Sequence, residues 1–282
     1  MCHHAEILFE QGLWELSFIT QELLPNIPVN FFQWQKIKTI EFSKNTKYGI
    51  LVFTSNVHSY HDVADVCERI KPTIIIHCSD EWGNRPKFDS LSNYCQLYLR
   101  QYRHAGYPCC KNVTIIPLGY GVDMFSEPCA KTSLTPSCER SRMWSFVGNM
   151  KSDRAKMHAA FGKLENGFFG NADKTTMKNM YLNSKFVPIG RGNLSLNCLR
   201  IYEALSAGAL PVVVGSLDEI RETFIDEKIE GWVVASSWEE AAEKCRSISD
   251  DEKIMNQKQH IAINDWRTRL EELQKKLVSK MH

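Results

Sequence analysis

The sequence predicts an α/β protein with two domains, each built on a parallel β-sheet that helices cover on both faces. Short apolar runs rich in Val, Ile and Phe alternate with segments of helical period along most of the 282 residues. Continuously apolar strands separated by helices are typical of a parallel sheet. A stretch rich in Ser, Thr, Pro and charge at 126–141 interrupts the alternation. We therefore expect a Rossmann-like domain on each side of it.

The first predicted domain comprises residues 1–125. Its best-defined helix is 57–70, where Val63, Val66 and Ile70 fall on one face. The predicted elements, in order, are strand 6–9, helix 13–24, strands 29–32 and 48–53, helix 57–70, strand 73–78, helix 90–104 and strand 113–117.

The second predicted domain comprises residues 142–282 and follows the linker 126–141. Ser237 and Glu240 form a capping box at the start of its next-to-last helix, and a long charged helix at 251–280 follows. The other predicted elements are strand 143–147, helix 153–161, strand 167–169, helix 174–184, strand 186–189, helix 196–207, strand 210–214, helix 217–224 and strand 232–234.

The composition argues against nucleic-acid-binding, membrane-spanning and metal-binding classes of protein. Lys and Arg number 34 against 33 Asp and Glu, a balance that argues against a dedicated nucleic-acid binder. No run approaches the roughly 20 apolar residues of a membrane-spanning helix, and no leader is visible, so we expect a soluble, cytoplasmic protein. The ten cysteines are dispersed without a paired CxxC, which predicts reduced thiols and no metal site.

The most informative segment is 184–214, which is predicted as strand, glycine-containing loop, helix, tight turn and strand. Gly190 and Gly192 let the backbone approach a ligand, and Ser195 is placed to cap the helix. The amino terminus of that helix offers N–H groups and a positive dipole end to a phosphate. These features are what a site for a phosphorylated ligand requires, although two glycines by themselves also make a simple turn.

The helix in this segment has one polar and one apolar face. Arg200 and Glu203 lie on the polar side with Asn197, opposite a face of leucines and Tyr202 that must be buried. Cations suit a diphosphate, and a carboxylate suits ribose hydroxyls, so a nucleotide explains this face. A surface pair three residues apart is the alternative explanation of Arg200 and Glu203.

The segment 184–214 resembles the C-terminal signature of the exostosin-like glycosyltransferases, glycosyltransferase family 47. The matching residues are Ser184-x-Phe186, Pro188-x-Gly190, Arg200-x-x-Glu203-Ala204-Leu205 and Pro211-Val212-Val213, with weaker likeness at 145–149 and Arg154. Members of the family are usually larger, membrane-anchored proteins, so the resemblance is to a short relative without a visible anchor.

The resemblance implies the GT-B fold, with two Rossmann-like domains facing across a cleft. It also implies transfer of a sugar from a UDP-sugar to a saccharide hydroxyl, with inversion and without an obligatory metal or other cofactor. Xylose is the expected sugar by elimination, because no additional basic residue stands out to pair with a sugar carboxylate. The expected donor-binding residues are Gly148, Asn149, Arg154, Gly190, Gly192, Asn193, Ser195, Asn197, Arg200 and Glu203.

An inverting enzyme needs a base near the acceptor hydroxyl, and the carboxyl end of a strand in the first domain is the expected place. Strand 73–78 opens directly into Asp80 and Glu81, which we predict as the base, Asp80 first. Helix capping or solvation explains either carboxylate equally well. The next choices are His58 and His61, and then Glu10.

Two other functional classes stay open at this point. A transferase-like module that binds UDP or a glycan without turnover would carry the same donor signature. An NAD(P)-dependent oxidoreductase would use Gly190-x-Gly192 as its fingerprint, but Ser195 stands where a third glycine is expected. Gly215 and Ser216 stand where that class places an acidic residue.

Overall fold

A computed structural model describes residues 6–33, 48–55, 58–104, 111–125, 127–128 and 133–281. Residue contacts divide the chain into two units: unit 1 is Met1–Leu118 with Glu271–His282, and unit 2 is Gly119–Leu270. Each unit holds one sheet in which all described strand pairs are parallel. The predicted fold class, two parallel-sheet α/β domains, is confirmed.

Unit 1 is built on a six-stranded sheet in the order β2-β1-β3-β4-β5-β6. Its described helices are a π-helix at Phe18–Leu23, α1 at Tyr60–Ile70 and a 3₁₀ helix at Pro86–Tyr94. The strands are β1 Glu6–Glu10, β2 Val29–Phe32, β3 Tyr48–Thr54, β4 Ile74–Cys78, β5 Leu97–Arg100 and β6 Val113–Ile115.

The predicted helix at 90–104 is wrong. Residues 86–94 form the 3₁₀ helix, and Leu97–Arg100 form strand β5 between β4 and β6. Leu97, Tyr98 and Leu99 are all buried in the sheet, so the run is apolar on both faces. Such a short apolar run has no period that separates a strand from a buried helix, and its central place in the sheet decides the outcome. The helix predicted at 13–24 is shorter in the structure, where the π-helix covers Phe18–Leu23.

Unit 2 is built on a five-stranded sheet in the order β11-β10-β9-β7-β8. Its strands are β7 Arg142–Val147, β8 Gly167–Gly170, β9 Ser184–Pro188, β10 Leu210–Val214 and β11 Val233–Ala235. Its helices are α2 Arg154–Phe161, α3 Lys174–Leu182, α4 Leu199–Ser206, α5 Leu217–Thr223 and α6 Trp238–Ser249. Helix α7, Glu252–Met281, begins in unit 2, and its residues from Glu271 onward belong to unit 1. These elements follow the predicted alternation closely.

The segment before β7 has the composition of a linker, yet its described part is anchored in unit 2. Gln259 of α7 accepts a hydrogen bond from the Ser137 amide at 2.8 Å and donates to the Gly208 carbonyl at 2.9 Å. Ser137 is fully buried. Residues 126 and 129–132 of the predicted linker lie outside the described residues. Within the described ranges, no helix is both long and apolar enough to cross a bilayer.

Stability of unit 2 is expected to depend on pH through Glu227. Its carboxylate lies 3.7 Å from Arg269 on α7, and burial, opposed by that cation, raises its pKa from 4.5 to about 7. The folded state therefore holds the proton more tightly than the unfolded state. The contribution of Glu227 to the free energy of unfolding is present below about pH 4.5 and is lost as the pH rises to about 7.

Urea unfolding measured at several pH values across this window checks this expectation. Glu227→Gln should remove the Glu227-dependent fall in stability, and the exposed neighbour substitution Glu222→Gln should keep it. An unchanged pH dependence in Glu227→Gln would show that another group is responsible.

Candidate active site

The predicted donor-binding residues gather at the carboxyl edge of the unit 2 sheet. From β7 the chain proceeds to β8 on one side, whereas β9, β10 and β11 lie on the other side of β7. The point where this order reverses is the usual ligand site of an open parallel sheet. Gly148 and Asn149 follow β7 there, and Gly190 to Asn193 follow β9.

Arg154, the first residue of α2, ties these two loops together. Its Nη1 donates to the Asn149 carbonyl at 2.8 Å, and its Nη2 donates to the Arg191 carbonyl at 3.0 Å. The guanidinium also lies 4.9 Å from the ring centre of Phe146. The side chain is buried, and burial lowers its pKa below the ordinary value. Arg154 is therefore built into the walls of the site as a positioning residue for both loops.

Further polar contacts join the same two loops. Lys151 Nζ donates to Asn193 Oδ1 at 2.8 Å, and the Arg191 amide donates to Asp153 Oδ1 at 3.0 Å. Within the second loop, the Gly192 amide donates to the Ser195 carbonyl at 3.0 Å. The loops after β7 and β9 thus form one connected wall.

Arg200 and Glu203 of α4 form an ion pair at this edge. Arg200 donates from Nη1 to Glu203 Oε2 at 2.7 Å and from Nε to the Val147 carbonyl at 2.8 Å, so it reaches the end of β7. Glu203 is fully buried, and its Oε1 has no hydrogen-bond partner among the described residues. The Arg200 side chain keeps 24% of its surface exposed. Burial acts to lower the pKa of Arg200, but the attraction of the Glu203 carboxylate outweighs burial, so the pKa lies above the ordinary value.

The helix carrying this pair starts later than predicted, and Ser195 is not its cap. Helix α4 begins at Leu199, and its N-cap is Cys198. Ser195 Oγ instead accepts a hydrogen bond from the Asn197 amide at 2.9 Å, a local turn that competes with helix formation. Asn197 is buried, and its Oδ1 accepts from the Tyr202 hydroxyl at 2.9 Å.

Replacing Gly190 should disturb this wall. A Cβ at Gly190 would lie 2.5 Å from Arg154 Cγ, a contact that only a shift of the buried arginine relieves. Gly190→Ala should therefore cost about 1–3 kcal/mol of unfolding free energy, the usual cost of overpacking. It should also weaken nucleotide binding, because Arg154 positions both loops.

Urea unfolding and a UDP thermal-shift titration measure the two effects. Gly170→Ala is the matched control at the same sheet edge, since its Cβ meets only the ring tip of Phe168, at 3.2 Å. Equal losses in the two variants would contradict the role given to Arg154.

A cavity of about 410 Å³ lies beside these loops, at the carboxyl ends of β10 and β11. Arg191 and Glu219 stand in its wall and form a two-bond ion pair at 2.5 and 2.7 Å. Asp153 shares that wall and accepts from Trp238 Nε1 at 3.1 Å. Arg191, Glu219 and Asp153 are not among the site residues predicted from the sequence. The only available signal was that Arg191 stands between the two selected glycines.

In unit 1, Asp80 and Glu81 follow β4, as predicted. Ser79 and Asp80 both adopt the left-handed conformation, with φ of 69° and 75°. Asp80 is buried, and its Oδ2 lies 3.6 Å from Arg100 Nη2. Arg100 also donates from Nη1 to both carboxylate oxygens of Asp89, at 2.7 and 2.8 Å. Asp80 therefore belongs to a buried cluster around Arg100, whereas Glu81 is half-buried.

Two of the lower-ranked base candidates are brought together by the fold. Glu10 ends β1 and His58 follows β3, and their Oε1 and Nε2 atoms lie 2.6 Å apart. Both side chains are buried. His61, by contrast, is exposed on α1. Among the described residues no three His, Cys, Asp or Glu side chains come together as a metal site would require.

No family model and no curated protein matches this sequence. Solved structures do match in fold. Anabaena HepE in complex with UDP and glucose is 11% identical, with 99% of each chain covered and a TM-score of 0.59. A Staphylococcus aureus TarM mutant bound to fondaparinux, α-GlcNAc-glycerol and UDP is 13% identical, with 88% of this chain and 58% of that one covered and a TM-score of 0.53.

A third similar structure is the T4 phage BGT in complex with UDP and Mn²⁺. It is 13% identical, with 98% of this chain and 99% of that one covered and a TM-score of 0.50. Together with the two parallel-sheet α/β units, these similarities show that the chain has the GT-B fold. At such low identity the comparisons define the fold alone.

Proposed function

We propose that this protein is a glycosyltransferase that moves a sugar from a UDP-sugar to a hydroxyl of a saccharide acceptor. The observation that carries the proposal is the Arg200–Glu203 pair at the reversal point of the unit 2 sheet. A fully buried carboxylate oxygen without a partner is costly, and a ligand hydroxyl would satisfy it. The UDP complexes of the structural neighbours support UDP as the nucleotide.

The Arg200–Glu203 pair supplies a cation for the diphosphate and a hydrogen-bond acceptor for a ribose hydroxyl. Arg200 is cationic and partly exposed, and its Nη2 makes no hydrogen bond within the described residues. It lies in the first turn of α4, where helix N–H groups add to the attraction for anions. We assign the diphosphate to Arg200 and this helix end, and a ribose hydroxyl to Glu203 Oε1.

The remaining donor-binding residues divide between direct contact and positioning. Gly192 and the exposed Asn193 lie in the loop that faces this edge, and the side-chain Nδ2 of Asn197 makes no hydrogen bond within the described residues. Gly148, Asn149, Arg154 and Gly190 hold the shape of the wall. Ser195 acts on the same loop through its turn with Asn197.

Chemically, the arrangement would stabilise the leaving group. As the bond between the anomeric carbon and the UDP oxygen breaks, negative charge grows on the diphosphate, and preorganised donors at that place lower the barrier. A base in unit 1 removes the acceptor proton. We assign this step to Asp80 or Glu81, which follow β4, and we propose inversion at the anomeric carbon, xylose as the sugar and no metal requirement.

A panel of UDP-sugars tests the proposal. Purified protein is incubated with UDP-xylose, UDP-glucose, UDP-GlcNAc, UDP-galactose and UDP-glucuronic acid, with and without EDTA and trial saccharide acceptors, and released UDP is measured. Release from one donor, unaffected by EDTA, supports the proposal and names the sugar. Binding of UDP without release from any donor would indicate a binding module, and stabilisation by NAD(P) alone would overturn the donor assignment.

A further inference from the structure

A second cavity lies at the amino edge of the unit 2 sheet, opposite the edge that carries the donor-binding residues. Its volume is about 410 Å³, and small-ligand sites usually measure roughly 300–1,000 Å³. Its wall is formed where β7 and β9 begin, where α2 leads into β8 and where α6 ends. Three basic side chains line it, those of Lys163, Lys185 and Arg246. The cavity is therefore separate from the site proposed for UDP.

These three cations have hydrogen-bond donors to spare. Lys163 and Arg246 are exposed, and their side chains make no hydrogen bond or ion pair within the described residues. Lys185 is half-buried, and its Nζ donates to Ser249 Oγ at 3.0 Å. An ammonium group has three N–H donors, so two on Lys185 are left for a ligand. An anion in this cavity would meet donors from two helix ends and one strand.

Basic side chains near helix ends often serve the last carbonyls of the helix, but here those carbonyls have other donors. The Tyr181 carbonyl of α3 accepts from Arg140, which also lines the cavity, at 3.3 Å. The Ile248 carbonyl of α6 accepts from the amide of the C-cap residue. The Phe161 carbonyl of α2 accepts from the Leu164 amide at 2.9 Å. Helix capping therefore does not account for the three cations.

The rest of the lining suits a molecule with hydroxyl groups. Glu165 and Asp250 contribute carboxylates, and Met143 and Leu164 contribute apolar surface. A carboxylate accepts hydrogen bonds from hydroxyls but repels a second anionic group. Three cations beside two carboxylates thus favour a ligand that carries one phosphate and several hydroxyls over a ligand with many negative charges.

We propose that this cavity binds a sugar phosphate, that is, a small sugar that carries one phosphate monoester. The phosphate accepts hydrogen bonds from Lys163, Lys185 and Arg246, and sugar hydroxyls donate to Glu165 and Asp250. Charge-assisted hydrogen bonds between these cations and phosphate oxygens supply most of the affinity. The inference concerns binding alone and does not rest on the proposed glycosyltransferase function.

Isothermal titration calorimetry of the whole chain tests the proposal. Glucose 1-phosphate, ribose 5-phosphate, inorganic phosphate and glucose are titrated separately, with saturating UDP present to occupy the donor site. A sugar phosphate should bind more tightly than inorganic phosphate, and glucose should not bind. The double variant Lys163→Gln with Arg246→Gln should weaken binding of the sugar phosphate by about tenfold or more. Both side chains are exposed, so the variant should fold as the wild type does.

Lys87→Gln with Arg221→Gln is the matched control, because it removes the same charge from two exposed positions outside the cavity. Its Kd for the sugar phosphate should stay within about twofold of the wild-type value, since exposed charges at a distance are screened.

Four results would overturn the proposal. The first is wild-type affinity in the variant that lacks Lys163 and Arg246, which would place the ligand elsewhere. The second is an equal loss in the control variant, which would show an effect of net charge alone. The third is equal affinity for inorganic phosphate and both sugar phosphates. The fourth is no binding of either sugar phosphate at millimolar concentration. Failure to bind UDP would overturn the donor assignment and leave this test unaffected.

Discussion

Arg200→Met is expected to abolish binding of UDP and to lower the unfolding free energy of unit 2 by about 3–5 kcal/mol, the usual cost of breaking a buried ion pair. The substitution keeps an unbranched apolar stem but removes the guanidinium, which leaves the fully buried Glu203 carboxylate without its cation. It also removes the bond to the Val147 carbonyl. UDP at a hundred times its Kd stabilises a binding-competent protein by about 2.7 kcal/mol, and we expect this stabilisation to be absent.

A double variant separates stability from binding. In Arg200→Met with Glu203→Gln the buried charge is gone, so most of the lost stability should return while UDP binding stays absent. Urea unfolding with and without UDP measures both quantities. UDP stabilisation equal to that of the wild type in either variant would contradict the assignment of the diphosphate to Arg200.

Arg140→Met is the second substitution with a large expected effect, and here the effect is on folding alone. The buried guanidinium donates hydrogen bonds to four carbonyls, those of Thr135, Tyr181, Ser184 and Ala207, at 2.9–3.3 Å. Removing it takes a donor from each of these carbonyls, although Thr135 keeps the bond from Gln259 Nε2 and Tyr181 keeps one from the Asn183 amide. A buried acceptor left without a donor costs roughly 1–3 kcal/mol before relaxation. We expect a total loss of at least about 3 kcal/mol in the free energy of unfolding.

Arg142→Met is the control for this prediction, because its buried Nε has no hydrogen-bond partner among the described residues. Urea unfolding of both variants gives the comparison. The Kd for UDP, measured below the unfolding transition, should stay at the wild-type value in Arg140→Met. A loss no larger than that of Arg142→Met would show that the four carbonyls find other donors.

Sequence patterning predicted unit 2 more completely than unit 1. In unit 2 each strand is separated from the next by a helix with a clear period or a capping signal, as at Ser237, whose Oγ accepts from the Glu240 amide at 3.1 Å. Signals within each segment therefore suffice to predict the order of strands and helices in unit 2. The start of α4 was missed because the turn between Ser195 and Asn197 uses the same side-chain chemistry as a helix cap.

In unit 1, several features depend on contacts between residues that are distant in sequence, and local patterns do not predict such contacts. Strand β5 is a four-residue apolar run whose identity depends on its neighbours β4 and β6, which are distant in sequence. Glu10 and His58 are 48 residues apart, and only the order of the strands brings them within 2.6 Å. The same limit applies to Arg100, which falls within the predicted helix 90–104 and is instead a strand residue buried beside Asp80 and Asp89.

The central claim is that UDP binds at the reversal point of the unit 2 sheet, and a crystal structure of the protein with UDP tests it most directly. We expect the diphosphate within hydrogen-bond distance of Arg200 and the amino end of α4, with a ribose hydroxyl on Glu203 Oε1. UDP bound only elsewhere, for example in the cavity between Arg191 and Trp238, or no bound UDP at saturating concentration, would contradict the claim.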